Sequence, residues 1–291
     1  MSFSSEVKQE LAKHISPARH CQLAELAAIF HFCGQYGRDT DGNYTIGFQT
    51  ENEVIVRKGF TLLKKTFNID TDRPVTEGQM EDLCQKIGDQ EEPVSSLLIK
   101  NSCCQRAFLR GAFLSVGSIS DPSKGYHLEF VCTSPAKAGQ LREVIRNFDI
   151  DARIVKRKKY DVVYLKEGEA IVDLLNVCEA PVSLMNLENL RILKEMRNSI
   201  NRRVNCETAN INKTVSAASR QINDIELLRD RYGLTRLPEP LRQMAEVRLE
   251  NPDVPLKELG ELLDPPVGKS GVNHRLRKLS ELAEEVRNRQ Q

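Results

Sequence analysis

The residues best suited to chemistry lie near the C-terminus, in Lys269-Ser-Gly-Val-Asn-His-Arg-Leu-Arg-Lys-Leu279. Val272, Leu276 and Leu279 recur at steps of four and three, the spacing of a helix that buries one stripe. The other positions, Lys269, Ser270, Asn273, His274, Arg275, Arg277 and Lys278, offer hydrogen-bond donors and positive charge. No acid occurs from Val267 to Ser280, and acids return at Glu281, Glu284 and Glu285. A side-chain amide matches the edge of adenine, and a guanidinium matches guanine or a phosphate. Asn273 is the candidate for the first role and Arg275 for the second. Such a face fits double-stranded DNA as its partner.

The elements that must position this helix are legible upstream. Pro255-Leu-Lys-Glu-Leu-Gly-Glu-Leu-Leu263 reads as a short helix with Leu256, Leu259, Leu262 and Leu263 inward and Gly260 small. Asp264-Pro-Pro-Val-Gly268 forces a turn, because proline cannot continue a helix. A short Leu-rich helix, a turn and a basic helix make the plan of a helix-turn-helix, whose second helix enters the major groove. A preceding helix opens at Pro238-Glu-Pro240 and ends at Asn251-Pro252-Asp253.

Farther upstream, Leu187, Leu190, Leu193 and Met196 predict a helix ending near Ile200. Asn201–Lys213 follows, polar and rich in Asn, with Arg202, Arg203, Asn205 and Lys213 as further candidates for DNA contact. The same composition also suits a solvated connector. A helix from Val215 to Arg231 is then expected, closed by Gly233.

The chain has 291 residues, with Lys+Arg 42 against Asp+Glu 41, so any basic surface must be local. That length suggests more than one domain. No apolar run approaches the roughly 20 residues of a membrane span, and Met1-Ser-Phe-Ser-Ser-Glu-Val-Lys8 has no signal-peptide character. A cytoplasmic, nucleoid-associated protein with no membrane partner is expected. The eight Cys show no C-x-x-C pair and no zinc spacing. They are read as structural thiols, with no metal and no cofactor.

The first 180 residues contain an internal repeat. Leu26-Ala-Ala-Ile-Phe-His-Phe-Cys-Gly34 precedes the alternating run Tyr44–Thr50 and a helix ending at Phe67-Asn-Ile-Asp70. Leu109-Arg-Gly-Ala-Phe-Leu-Ser-Val-Gly117 precedes Tyr126–Thr133 and a helix ending at Phe148-Asp-Ile-Asp151. The steps from Gly to Tyr and from Tyr to Phe agree between copies to within one residue, and Phe48 and Phe130 each lie four after their Tyr. Matched landmarks of this kind indicate one supersecondary unit used twice. The second copy continues with a hairpin, Ala152–Lys159 and Tyr160–Lys166, and a closing helix, Glu169–Val177. The matching stretch of the first copy, Thr71–Lys100, is polar and reads as degraded.

Two copies of helix, hairpin, helix, each opened by an apolar helix ending in Gly, resemble the LAGLIDADG homing endonucleases. In that family the two opening helices pack face to face, which Gly111, Ala112, Ser115, Ala27 and Ala28 would allow. The residue before the closing Gly is there a metal-binding acid. Here those positions hold Cys33 and Val116. Val has no ligand atom and Cys is a soft one, ill-suited to Mg²⁺. Asp39, Asp41 and Asp121 lie nearby, in the turn sequences Asp41-Gly42-Asn43 and Asp121-Pro122-Ser123, and are read as turn residues. No catalytic residue is assigned.

The whole chain is similar to the WhiA family of sporulation regulators of Gram-positive bacteria. Ser2-Phe-Ser-Ser-Glu-Val-Lys8, Asn201-Arg-Arg-Val-Asn-Cys-Glu-Thr-Ala-Asn210, Leu256-Lys-Glu-Leu-Gly260 and Lys269-Ser-Gly-Val-Asn-His-Arg-Leu-Arg277 carry the resemblance. The polar, acidic stretch Val75–Ser96 departs from it. The resemblance implies an α+β protein in which a two-repeat LAGLIDADG-like domain is followed by an all-α helix-turn-helix domain. The expected divisions are 1–185, a helical, basic and Asn-rich linker at 186–235, and the DNA-binding domain at 236–291. It also implies a transcriptional regulator of sporulation or cell division, not an enzyme. Two alternatives stay open: a division or nucleoid scaffold that binds a protein partner through the N-terminal domain, and a residual metal-dependent nuclease.

Overall fold

A computed structural model describes residues 2–70, 73–88 and 92–289. The chain divides into two compact units, Met1–Glu195 and Met196–Gln291.

The first unit begins with α1 (Phe3–Lys13) and the apolar α2 (Arg19–Cys33), followed by the hairpin of β1 (Gly34–Arg38) and β2 (Tyr44–Phe48). Two helices, α3 (Glu53–Phe67) and α4 (Glu77–Ile87), complete the first repeat. The second repeat has α5 (Ser102–Val116), β3 (Gly117–Ile119), β4 (Leu128–Cys132) and α6 (Pro135–Arg146). It then adds β5 (Arg153–Arg157), β6 (Tyr160–Leu165) and α7 (Gly168–Val177). The repeat extends to strand register: Gly34 pairs with Phe48 as Gly117 pairs with Phe130.

The copies differ where the sequence predicts they should. The second carries an antiparallel sheet in the order β3-β4-β6-β5, whereas among the described residues the first has only its hairpin and the bridge of Tyr44 to Val75. The first copy has α4 where a second hairpin would be. Met80, Leu83 and Ile87 are buried at helical spacing, and a Thr76–Gln79 capping box starts the helix. The expected degraded stretch is thus partly an ordered helix. Its residues 71, 72 and 89–91 lie outside the described residues.

α2 and α5 form the seam of the unit. A Cβ on Gly111 would lie 2.5 Å from the Glu25 carbonyl oxygen and 2.9 Å from the Ala28 Cβ. The helices therefore meet backbone to backbone, as the small residues Ala27, Ala28 and Gly111 predict. Beside this contact lies a charge cluster that sequence spacing does not reveal. The fully buried Glu25 pairs with Lys58 Nζ at 2.9 Å and with Arg110 Nε at 3.1 Å. Arg110 also pairs with the exposed Glu179. Burial pulls the Lys58 ammonium below its usual pKa, and Glu25 partly offsets this.

The thiols correct one expectation. Cys21, Cys33, Cys104, Cys132 and Cys178 are buried, but Cys84, Cys103 and Cys206 are exposed. His20, Cys21, Cys103 and Cys104 come together, although no stretch of sequence shows a metal-ligand spacing. Packing of α2 on α5 creates that proximity.

The largest correction concerns the linker. The break expected after Ile200 is absent: α8 (Pro181–Arg231) is one helix of 51 residues. Glu10 caps its start, accepting the Ser183 N–H at 2.9 Å. Asn198, Asn201, Asn205, Asn210 and Asn212 are weak helix formers, which made the stretch read as a connector. A costly helix nucleus is already supplied by the flanking turns, so propagation needs only one more bond per residue. The expected close is present, with Gly233 N–H on the Leu228 carbonyl at 2.9 Å.

In the second unit, the C-terminal part of α8 packs with α9 (Glu239–Glu250), α10 (Leu256–Glu261) and α11 (Lys269–Asn288). Their core contains Ile225, Leu228, Met244, Leu259, Val272 and Leu276.

Two stability outcomes follow from the seam. Gly111→Leu forces a side chain into the contact and should cost about 1–3 kcal/mol or more; an unchanged melting transition of the first unit would contradict it. Glu25→Ala leaves two cations buried and should cost about 3–5 kcal/mol, read as a shift in the denaturation midpoint at constant slope.

Candidate nucleic-acid interface

α10 and α11 are joined by the turn 262–268, which the backbone fixes tightly. Val267 N–H donates to the Gly260 carbonyl at 2.9 Å. A Cβ on Gly260 would lie 2.0 Å from the Val267 carbonyl oxygen, so only glycine lets the turn fold back here. Arg248, almost wholly buried, donates to the Val254 carbonyl at 2.8 Å and holds the segment leading into α10. At its other end, α11 is tied to α8 by Arg287 and the buried Asp224 at 2.7 Å.

The apolar stripe of α11 lies where its spacing places it: Val272, Leu276, Leu279 and Ala283 are buried. Lys269, Ser270, Asn273, His274, Arg277 and Lys278 are exposed, while Arg275 is half-buried at the edge of the stripe. Arg277 pairs with Glu281 at 3.0 Å across one helical turn. Such exposed pairs are weak, so this guanidinium can exchange its partner at small cost.

The second unit brings Lys213 to this helix. A cleft of about 340 Å³ is lined by Lys213 of α8, Lys257 of α10 and Lys269 of α11. A neighbouring groove of about 610 Å³ is lined by Lys213, Arg220, Asn273 and Arg277. Basic side chains from three helices therefore converge around the N-terminal half of α11. Lys257 and Arg220 escaped sequence reasoning because each stands alone in its own segment; only the packing of α8, α10 and α11 gathers them. Arg202, Arg203 and Asn205 are exposed on α8 but do not line either cleft. At 1.5 Å per residue, Arg202 lies about 16 Å along the helix from Lys213. Arg202 also donates to the Asn198 carbonyl at 3.3 Å.

The seam of the first unit ends at Cys33 and Val116. Cys33 is buried, donates to the Ile29 carbonyl at 3.2 Å and lies 3.5 Å from Ser115 Oγ. Burial pushes its thiol above the usual pKa. The nearby acids hold turns. Asp39 accepts the N–H groups of Asp41 at 2.9 Å and Asn43 at 2.8 Å, and the Asn43 backbone holds it below the usual carboxylate range. Asp121 accepts the Ser123 N–H at 2.9 Å, and hydrogen bonds from Ser123 lower its pKa likewise. Among the described residues, no group of three or more His, Cys, Asp or Glu able to share an ion lies at the Cys33–Val116 end.

Comparison with known proteins covers both units. Residues 19–80 match the WhiA N-terminal LAGLIDADG-like domain, 105–197 the WhiA LAGLIDADG-like domain and 200–283 the WhiA C-terminal HTH domain. The chain is 50% identical to the probable cell division protein WhiA of Lachnoclostridium phytofermentans, over 99% of this chain and 100% of that one. Against the protein of the same name from Clostridium novyi the identity is 46%, over 99% of each. The crystal structure of full-length DUF199/WhiA from Thermatoga maritima is similar with a TM-score of 0.59 and 26% identity, covering 98% of this chain and 99% of that one. The chain belongs to the WhiA family, an α+β architecture of LAGLIDADG-like domains followed by a helix-turn-helix domain.

Proposed function

We propose that this protein is a sequence-specific DNA-binding regulator of transcription, linked to cell division or sporulation, whose α11 reads the major groove. The observation that carries the reading is the convergence of Lys213, Lys257 and Lys269 around a helix that presents Ser270, Asn273 and His274 outward. In helix-turn-helix proteins the N-terminal residues of the second helix meet base edges, and flanking basic groups meet phosphates. Asn273 is then the adenine-reading amide, and Lys213, Lys257, Lys269 and Lys278 are phosphate contacts. Arg275 reaches guanine or phosphate from the edge of the helix, and Arg277 does so by leaving Glu281. Arg202, Arg203 and Asn205 extend the basic track along α8. The names of the relatives support the link to cell division.

The first unit keeps the scaffold of a nuclease-like fold without its chemistry. Phosphodiester cleavage by bound metals needs fixed carboxylates at the scissile phosphate. Val116 offers no ligand, Cys33 is buried with its proton, and Asp39 and Asp121 are committed to their turns. No helix among the described residues is long and apolar enough to cross a membrane.

Binding measured on a specific site and on random duplex at several salt concentrations tests the reading. Asn273→Ala should cost about 1–3 kcal/mol on the specific site and little on random DNA. Lys257→Ala should weaken both alike and lower the salt slope by about one contact. If both variants bind like the wild type, α11 is a solvated face. Supercoiled plasmid incubated with Mg²⁺ or Mn²⁺ should remain intact; nicking abolished by Asp39→Asn or Asp121→Asn would establish a relocated nuclease.

A further inference from the structure

We infer that His20, Cys21, Cys103 and Cys104 form a binding site for a thiophilic divalent cation, zinc foremost, that clasps the two repeats across the α2–α5 seam. Each residue supplies one ligand atom, and the four atoms all lie within 4.8 Å of one another. His20 Nδ1 is 3.1 Å from Cys104 Sγ and 3.4 Å from Cys21 Sγ. Zinc–sulfur bonds of about 2.3 Å and zinc–nitrogen bonds of about 2.0 Å set tetrahedral edges of about 3.5–3.8 Å. The longest separation must therefore close by about 1 Å, within the reach of side-chain rotation.

The site is a product of the internal repeat. The interval from Gly34 to Gly117 equals that from His20 to Cys103 and that from Cys21 to Cys104. Equivalent positions on α2 and α5 thus each give two ligands, and the pseudo-symmetry of the seam brings the pairs face to face. Around them Ala18, Ala24 and Ala107 are small and apolar, so no bulky side chain separates the pairs. His20 and Cys103 are exposed, which gives the ion an entry path, whereas Cys21 and Cys104 are buried.

The charge is also accommodated. All four residues lie in the first turns of their helices, and neither helix start has a side-chain cap. Burial pushes the Cys21 thiol up and the Cys104 thiol up to about 12, so these protons leave as the cation binds, and the positive ends of two helix dipoles face the charge that results. Three thiols lose their protons as the cation binds, leaving one net negative charge on a Cys₃His centre facing two helix N-termini. Soft sulfur ligands exclude Mg²⁺ and Ca²⁺ in favour of zinc. This centre lies at the N-terminal ends of the seam helices, away from Cys33 and Val116, and performs no cleavage. Its effect is to pin the crossing of α2 and α5.

The full chain, purified under reducing conditions and stripped with chelator, should be titrated with Co²⁺ and then Zn²⁺. One equivalent of Co²⁺ should produce thiolate-to-cobalt charge transfer and tetrahedral ligand-field bands, both erased by Zn²⁺. Zinc should raise the melting temperature of the protein, and chelator should reverse the rise. Cys103→Ser, at an exposed position that leaves the core intact, should weaken the charge transfer by about one thiolate of the three. His20→Ala should keep the charge transfer and alter the ligand-field bands, and Cys206→Ser should change nothing. Absence of charge transfer at stoichiometric Co²⁺ would overturn the site. So would a spectrum unaltered in Cys103→Ser, or a disulfide among Cys21, Cys103 and Cys104 in protein alkylated on lysis.

Discussion

Both units depend on one constraint: two stretches of backbone must meet with no side chain between them. At Gly111 the partner is the carbonyl of Glu25, and at Gly260 it is the carbonyl of Val267. The first approach lets α2 and α5 lie in direct contact and so fixes the pseudo-symmetry of the first unit. The second folds the turn back on α10 and so fixes the angle at which α11 leaves. Cores are close-packed, and a single added methyl at either place has no room. The basic surface of the second unit inherits its geometry from that second approach.

The seam also explains why charge lies deep in the first unit. Glu25 sits at the crossing, where its side chain is shut off from water, and Lys58 and Arg110 neutralise it there. Such a cluster contributes little net stability but is costly to break one partner at a time. In a LAGLIDADG-like fold the ends of the seam helices are where acids would hold metal. Here that end is closed by a protonated thiol and an aliphatic side chain. The seam brings the two repeats together, and neither position before its closing glycines, Cys33 or Val116, carries a carboxylate.

Much of this was legible in the sequence. Gly34 and Gly117, Tyr44 and Tyr126, and Phe48 and Phe130 mark equivalent points of the repeat because strand register and helix ends constrain their spacing. The stripe of Val272, Leu276 and Leu279 and the proline turn before it define the helix-turn-helix, since both depend on local chemistry. The continuity of α8 was hidden because its Asn residues argue locally against a helix that its flanking turns sustain. α4 was hidden because three buried apolar residues stand among many polar ones. Lys257 and Arg220 look unremarkable alone, and the Cys/His cluster arises only when α2 meets α5. Proximity made by tertiary packing leaves no spacing to read.

The central claim is that base reading belongs to the outward N-terminal half of α11. Genome-wide mapping of bound DNA tests it most directly, comparing the full chain with its Asn273→Ala, His274→Ala double variant at equal abundance. The account predicts discrete wild-type sites sharing a sequence motif, and their collapse to diffuse background in the variant, which retains its phosphate contacts. The same sites occupied to the same extent by the variant would contradict it.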